Sequence, residues 1–416
     1  MDIDAKLQLV SSEMHLEPAE ETPLTGYAAF TPPVEPYGHS IERPYRPTTK
    51  GPCGHSPAEW QDLTREQKRA APIHMAAMPG GQRLPMLKTM LTTACERDCF
   101  YCPFRAGRNM RRASFKPDEM AKTYAELNRA GIAQGIFLSS GIIKGGASTQ
   151  DKLIDSIEIL RRDYNYTGYV HLKIMPGAEK DQVFRAMQLA DRISVNLEAP
   201  NEKRLPALAP HKIFFDELLQ RLQWADEIRR TQPGIKGWKG RWPSLVTQFV
   251  VGAAGESDLE ILSTTAYLIK NLRLARAYYS AFSPVANTPL ENHAPENPWR
   301  EHRLYQSSFL LRDYGFDLED MPFTRQGNLP LDVDPKIAWA AANLSESPVE
   351  LNRADRRALL RVPGIGPKGA DSILAARRKG ALHDLRDLRA LGVLANRAAP
   401  FVLLDGKRPA QQLSLF

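Results

Sequence analysis

Cys95, Cys99 and Cys102 stand in the run Thr93-Ala94-Cys95-Glu96-Arg97-Asp98-Cys99-Phe100-Tyr101-Cys102-Pro103, directly after a strand-like segment from Pro85 to Leu91. Three thiolates on one short loop are soft donors that can hold three irons of a cubane 4Fe-4S cluster. The fourth iron is then left without a protein ligand and is open for chemistry. Two other readings of the same residues stand beside this one. Cys53 or His55, from Gly51-Pro52-Cys53-Gly54-His55-Ser56, could complete a zinc site, since zinc takes four Cys or His ligands. The cysteines could also be small buried hydrophobes. Zinc sites usually come as paired Cys-x-x-Cys knuckles, which favours the cluster.

A reactive loop needs a scaffold, and the chain beyond it alternates two periodicities. Strand candidates are Pro85 to Leu91, Gly135 to Ser139, Gly168 to Met175, Arg192 to Leu197, Leu245 to Val251 and Arg276 to Phe282. Helix candidates lie between them: Pro117 to Ala130, Asp151 to Asp163, Glu179 to Ala190, Phe214 to Arg230 and Asp258 to Leu272. Six such repeats imply parallel pairing with right-handed crossovers. The expected fold is α/β, a partial (βα)6 barrel resembling a TIM barrel with segments missing. Ligands of such barrels bind at the carboxyl ends of the strands, where the cysteine loop falls.

The cysteine spacing, with Tyr101 just before the last cysteine, resembles the cluster loop of the radical S-adenosylmethionine (SAM) superfamily. The resemblance implies a 4Fe-4S cluster on Cys95, Cys99 and Cys102, SAM chelated to the open iron, and a 5'-deoxyadenosyl radical made by reductive cleavage. It also implies the partial barrel, a reductant such as flavodoxin or ferredoxin, and SAM contacts at Tyr101, Ser139, Ser140, Gly141, Asn196, Glu198 and Gly252. The family's usual acidic residue is missing from the Ser139-Ser140-Gly141 turn.

Two basic stretches are candidates for phosphate contact near the mouth: Arg105, Arg108, Arg111 and Arg112 after the cysteines, and Gly237-Trp238-Lys239-Gly240-Arg241-Trp242 before the fifth strand. An ordinary surface loop, with its tryptophans covering a core edge, is the plainer and slightly favoured reading of the second.

The chain has 416 residues, four cysteines and a formal net charge of +7. A leader or a membrane-spanning run is not expected from the sequence, and few cysteines outside the motif argue against a disulfide framework. The expected compartment is reducing cytoplasm, with no membrane partner. Residues 345–416 carry thirteen Lys and Arg against seven Asp and Glu, so this stretch holds six of the seven net charges. Such an asymmetry suits a polyanion, although a solvated basic face would look the same.

Within that stretch, Ala354 to Arg361 and Gly369 to Arg378 read as helices around Val362-Pro363-Gly364-Ile365-Gly366-Pro367-Lys368. Glycines permit a tight turn, and amides at a helix start beside Lys368 suit a phosphate. This resembles the helix-hairpin-helix module, with DNA contacts implied at Gly364, Ile365, Gly366 and Lys368. Leu388 to Ala399 resembles a degenerate second copy, in which Leu394 replaces Gly366. A helical protein-interaction module is the alternative. The final Gln412-Leu413-Ser414-Leu415-Phe416 resembles the pentapeptide that docks bacterial repair proteins on the sliding clamp, or else packs on its own domain.

The arrangement resembles bacterial radical SAM proteins associated with DNA modification or repair, matched over roughly residues 80 to 405. It divides as a Pro-rich extension with one short helix (1–80), the barrel (81–320), a linker (321–344), the helix-hairpin-helix domain (345–406) and a tail (407–416). The expectation is a radical enzyme acting on DNA, for repair or modification. An RNA-modifying radical enzyme and a non-catalytic, redox-sensing Fe-S module that binds DNA are the alternatives. Tyr278, Tyr279 and Cys53 are candidate radical relays.

Overall fold

The computed structural model describes residues 6, 7, 9, 10, 73–77 and 83–409. Cys53, His55, most of the Pro-rich extension and Gln412 to Phe416 lie outside the described residues. The described chain falls into two compact units: residues 83–256 and 268–296, with 73–77, form one, and residues 257–267 and 297–409 the other.

In the first unit, strands β1 (Ile73–Ala77), β2 (Arg83–Met90), β3 (Gly135–Ser139), β4 (Tyr169–Lys173), β5 (Arg192–Ser194), β6 (Ser244–Val251) and β7 (Arg276–Ala281) form one sheet in that order. β1 runs antiparallel to β2; from β2 to β7 every neighbour is parallel. Helices α1 (Pro117–Arg129), α2 (Gly146–Arg162), α3 (Lys180–Leu189) and α4 (Gln220–Thr231) form crossovers, and α5 (Asp258–Leu272), of which only residues 268–272 fall in this unit, lies between β6 and β7 in the chain. Among the described residues β1 and β7 each have one strand neighbour, so the described sheet does not close on itself. All five residues of β3 are buried, as expected where one face meets helices and the other a filled lumen. At the amino ends of the strands Ala76, Met86 and Phe137, flanked by Leu84 and Tyr169, plug the lumen with apolar side chains.

Several elements depart from the expected boundaries for identifiable reasons. α2 starts at Gly146, five residues early. A Cβ on Gly146 would lie 1.8 Å from the Pro176 carbonyl oxygen, so this glycine admits close packing rather than ending a helix. The expected helix at Phe214 opens with a π-helical turn, Phe214–Leu219, before α4. The Gly237 to Trp242 stretch precedes β6 and therefore sits at the amino end of the strands, away from the mouth. There Trp238 stacks on the Arg161 guanidinium at 3.7 Å, and Trp242 packs on Phe184 while donating to the Gln232 carbonyl.

The second unit contains α6 (Pro298–Asp313), α7 (Pro335–Asn343), α8 (Arg356–Arg361), α9 (Pro367–Arg377), α10 (Leu385–Ala390) and α11 (Ala395–Ala398). It begins well before residue 345: the expected linker carries α7, whose Ala340 joins Leu344 in the apolar core. That core merges Leu359, Ile365 and Ile373 with Leu388, Val393 and Ala398, so the two hairpins share one interior. Gly364 adopts φ +82°, and its Cβ would stand 2.5 Å from the Leu394 carbonyl oxygen, which makes glycine necessary there. The Leu394 amide donates to the Gly364 carbonyl at 3.1 Å. Lys336 is buried, donates its Nζ to the Ile365 carbonyl at 2.7 Å, and has its pKa pulled down to about 7, mainly by burial. Strands β8 (Val349–Glu350) and β9 (Val402–Leu403) pair in parallel. Among the described residues no helix is long and apolar enough to cross a membrane.

Candidate active site

Strand β2 delivers the chain to the cysteine loop at the carboxyl end of the barrel. The loop is then held by hydrogen bonds rather than by regular structure. The Glu96 amide donates to the Ile142 carbonyl at 2.8 Å, and the Glu96 carboxylate accepts from the amides of Lys144 and Gly145. The Phe100 amide donates to Leu208, while Arg97 reaches the His211 carbonyl and the Glu217 carboxylate. Glu217 belongs to the π-helical turn, which gives that irregular backbone a local task.

Arg112 donates to four carbonyls: its Nη1 to Thr93 and Phe104, its Nη2 to Arg105 and Arg108. Arg105 bonds Asp98, and Arg108 bonds Pro103 and Ala286. The structure therefore uses these three arginines to close loop backbone, not as a phosphate comb; Arg111 is exposed.

The thiols line a cavity at the mouth, beside Met90, Ile174 and Met175. Cys99 is buried and Cys95 and Cys102 are half-buried. Backbone amides point at two of the sulfurs: those of Arg97 and Ile142 at Cys95 Sγ and that of Phe104 at Cys102 Sγ, each at 3.4 Å. Amide donors of this kind stabilise thiolate sulfur in clusters. Among the described residues no three His, Cys, Asp or Glu side chains are close enough to share a single ion. Cluster thiolates each take a different iron and need no such convergence.

Tyr101, Ser140, Gly141, Asn196 and Glu198 all line the cavity. Ser139 and Gly252 do not. Gly252 has φ +99°, and a Cβ there would lie 2.2 Å from Glu296 Oε2, so the position has no room for a side chain. Gly141 is needed for a different reason: a Cβ there would lie 2.1 Å from the Ala94 carbonyl oxygen, breaking the contact that joins the β3 turn to the cysteine loop.

Glu198 is buried and adopts φ +65°, an uncommon conformation for a side chain of this size. Its Oε1 accepts from Lys212 Nζ at 3.0 Å, and its Oε2 is buried with no hydrogen-bond partner. Ser140 Oγ is likewise buried and unsatisfied. Such atoms suit a ligand bearing N–H and O–H groups. Burial, reinforced by the neighbouring Glu198 and thiolates, pushes the Tyr101 hydroxyl well above its usual range, so it stays protonated. Burial pulls Lys212 down, but Cys99 and Glu198 outweigh it and keep the ammonium charged.

The sequence reading missed Lys173, Lys212, Gln248 and Arg97, which also line the cavity. Strand alternation could have found Lys173 and Gln248; Lys212 sits in a loop with no periodic signal. Tyr278 and Tyr279 are adjacent on β7 and point to opposite faces: Tyr278 accepts from Arg192 in the lumen, and Tyr279 stacks on Phe249.

The model of the family described as the Radical SAM superfamily matches residues 89–266. Residues 89–266 are a radical SAM domain. Members of this superfamily use a 4Fe-4S cluster and SAM, and the thiols, the amides aimed at them and the unsatisfied polar atoms of the cavity fit both groups. Among solved structures, the chain is similar to the FeFe-hydrogenase maturase HydG from Carboxydothermus hydrogenoformans, at 16% identity over 55% of this chain and 51% of that one, with a TM-score of 0.44. It is similar to methylornithine synthase PylB at 13% identity over 55% of this chain and 61% of that one, with a TM-score of 0.43. The methyltransferase TsrM from Kitasatospora setae shares 10% identity over 52% of this chain and 39% of that one, with a TM-score of 0.34. The chain thus spans about half to three fifths of the first two structures. No curated protein matches it.

Proposed function

We propose that the chain is a radical SAM enzyme whose substrate is DNA, which it repairs or modifies. When bound, the reduced cluster supplies the electron that cleaves SAM to a 5'-deoxyadenosyl radical. The chain's own residues hold and shield. Cys95, Cys99 and Cys102 would ligate iron, Tyr101 and Asn196, which line the cavity, would border SAM, and Ser140 Oγ and Glu198 Oε2 would accept its donors. Lys212 donates to Glu198 Oε1 and holds that carboxylate in place, and the buried wall around Met90, Ile174 and Met175 limits water near the reacting carbon.

The DNA reading is carried by the first hairpin of the second unit. α9 starts from Gly366 with no side-chain cap on its first-turn amides, and Lys368, at the second helical position, is exposed. Amides and a cation in that arrangement suit a backbone phosphate without reading sequence. Residues 412–416 would dock on the sliding clamp, and a flavodoxin or ferredoxin would deliver the electron.

The test is anaerobic turnover of the reconstituted full chain with dithionite, SAM and either damaged or undamaged duplex. DNA-dependent formation of 5'-deoxyadenosine, with a mass change in the DNA, is the expected result. SAM cleavage that DNA does not stimulate and matched RNA does would overturn the DNA assignment.

A further inference from the structure

The three thiols differ in their electrostatic settings. Cys95 Sγ accepts from the amides of Arg97 and Ile142, and Cys102 Sγ from that of Phe104. Among the described residues no hydrogen bond reaches Cys99 Sγ, although Cys99 is the buried one of the three. Charge takes the place of the amides there. Burial raises the Cys99 thiol above its usual range; of its charged neighbours Lys212 acts most strongly and opposes that rise, and Glu198 comes next and adds to it. Lys212 and Glu198 line the same cavity as the thiols and form an ion pair at 3.0 Å, with side chains only 9% and 4% exposed. Buried charges of this kind are screened far less than exposed ones.

The backbone on either side of Lys212 is tied to the cysteine loop. Before it, the Phe100 amide donates to the Leu208 carbonyl at 2.7 Å, Arg97 Nη1 donates to the His211 carbonyl at 2.6 Å, and His211 Nδ1 lies 2.8 Å from Asp98 Oδ2. After it, Glu217 accepts from Arg97 Nη2 on one oxygen and from the Ile213 amide on the other, at 2.9 Å. The Lys212 amide itself donates to the Ala209 carbonyl at 3.1 Å. A flexible side chain is thereby given a fixed root beside the thiols and a fixed partner at its tip. A buried ion pair adds little net stability, because desolvation offsets its attraction. So much anchoring fits a charge whose position matters to the group that the thiols hold.

We propose that Lys212 sets the reduction potential of the cluster, its buried ammonium favouring uptake of the electron, with Glu198 moderating the effect. One electron passes from a low-potential donor, which is oxidised, to the cluster, which is reduced; no bond is made or broken, and the negative charge in the cavity grows by one. Cluster potentials respond to local charge and to hydrogen bonds on sulfur, and a fixed cation stabilises the more negative state. The inference rests on the cluster alone and holds whatever the substrate is.

The test is a dithionite titration of the full-length, anaerobically reconstituted protein, free of SAM and DNA, with the midpoint potential read from the electron paramagnetic resonance signal of the reduced cluster. Lys212→Met should make reduction about tenfold or more less favourable, a downward shift of about 59 mV or more for one electron. Lys212→Arg, which keeps the charge, should restore most of the potential, and Glu198→Gln should shift it upward. Iron and sulfide content identify variants that do not hold a full cluster; if Lys212→Met is one of them, the upward shift in Glu198→Gln decides. An unaltered potential in cluster-loaded Lys212→Met, equal downward shifts in Lys212→Met and Lys212→Arg, or no upward shift in Glu198→Gln would each overturn the assignment. Weaker SAM binding by Lys212→Met at an unaltered potential would make Lys212 a SAM contact and overturn it as well. With DNA absent, failure here leaves the DNA reading standing, and SAM cleavage that DNA does not stimulate leaves this assignment standing.

Discussion

The cavity of the first unit and the paired hairpins of the second are built on opposite principles. The cavity gathers side chains from the ends of β2 to β6 and from two loops, and it keeps buried polar atoms, Ser140 Oγ and Glu198 Oε2, that the protein does not satisfy. The hairpins are contiguous in sequence and turn their polar groups on one another. Asp384 caps the amides of Arg386 and Asp387, Asp355 caps Ala358, and Arg377 closes the carbonyls of Leu351 and Ala354. The cavity holds open, around the thiols, polar atoms that a bound group could meet, whereas the hairpins direct their caps and arginines onto their own backbone.

The strongest attempt to break that contrast is Cys99→Ser. It should abolish cluster binding and SAM cleavage, read as bound iron and 5'-deoxyadenosine, while DNA affinity by fluorescence anisotropy remains that of the unaltered chain. If both fall together, the two regions are not independent in the way described.

Gly364→Ala is the converse. It forces a Cβ to within 2.5 Å of the Leu394 carbonyl in a left-handed backbone. It should destabilise the second unit by about 1–3 kcal/mol and weaken DNA binding without loss of cluster iron. Calorimetric unfolding and iron content check both halves.

Protonation sharpens the contrast further. Burial, then Arg303, lowers the His302 pKa to about 4, and burial with Arg192 and Lys173 lowers that of His171. Both folded values lie below the unfolded value of about 6.5, so the unfolded chain takes up protons first. The stabilisation is present above pH 6.5 and is lost as pH falls toward 4, by on the order of 3 kcal/mol for His302. His302→Phe should flatten the acid side of the urea-unfolding profile of the second unit.

The smallest effect is expected at Asp371→Asn, which removes the exposed pair with Arg356. The thermal midpoint should not move, because solvent screens such pairs. A measurable shift would show that the surface of the platform is tuned for stability as well as charge.

The sequence made the barrel legible because each strand and crossover helix carries its own periodicity. β3 and α5 match their expected limits, and the cysteines announced themselves by being neighbours in the chain. Convergence was harder to read. Lys212 meets Glu198 only because a loop folds back across the mouth, and no spacing encodes that contact. The expected start of α2 at Asp151 missed its first turn, where the structure uses Gly146 for close approach to Pro176. The slightly favoured reading of the Gly237 to Trp242 stretch, tryptophans that cover a core edge, is what the structure shows, with Arg161 and Phe184 taking them up at the far end of the barrel rather than near the mouth.

Arg112 has a consequence for the protein's working life. Its guanidinium gathers four carbonyls of the segment that carries the thiols, and that clasp is made of protein alone. The path of the backbone that presents the thiols is thus set by hydrogen bonds within the protein, whatever the sulfurs themselves hold.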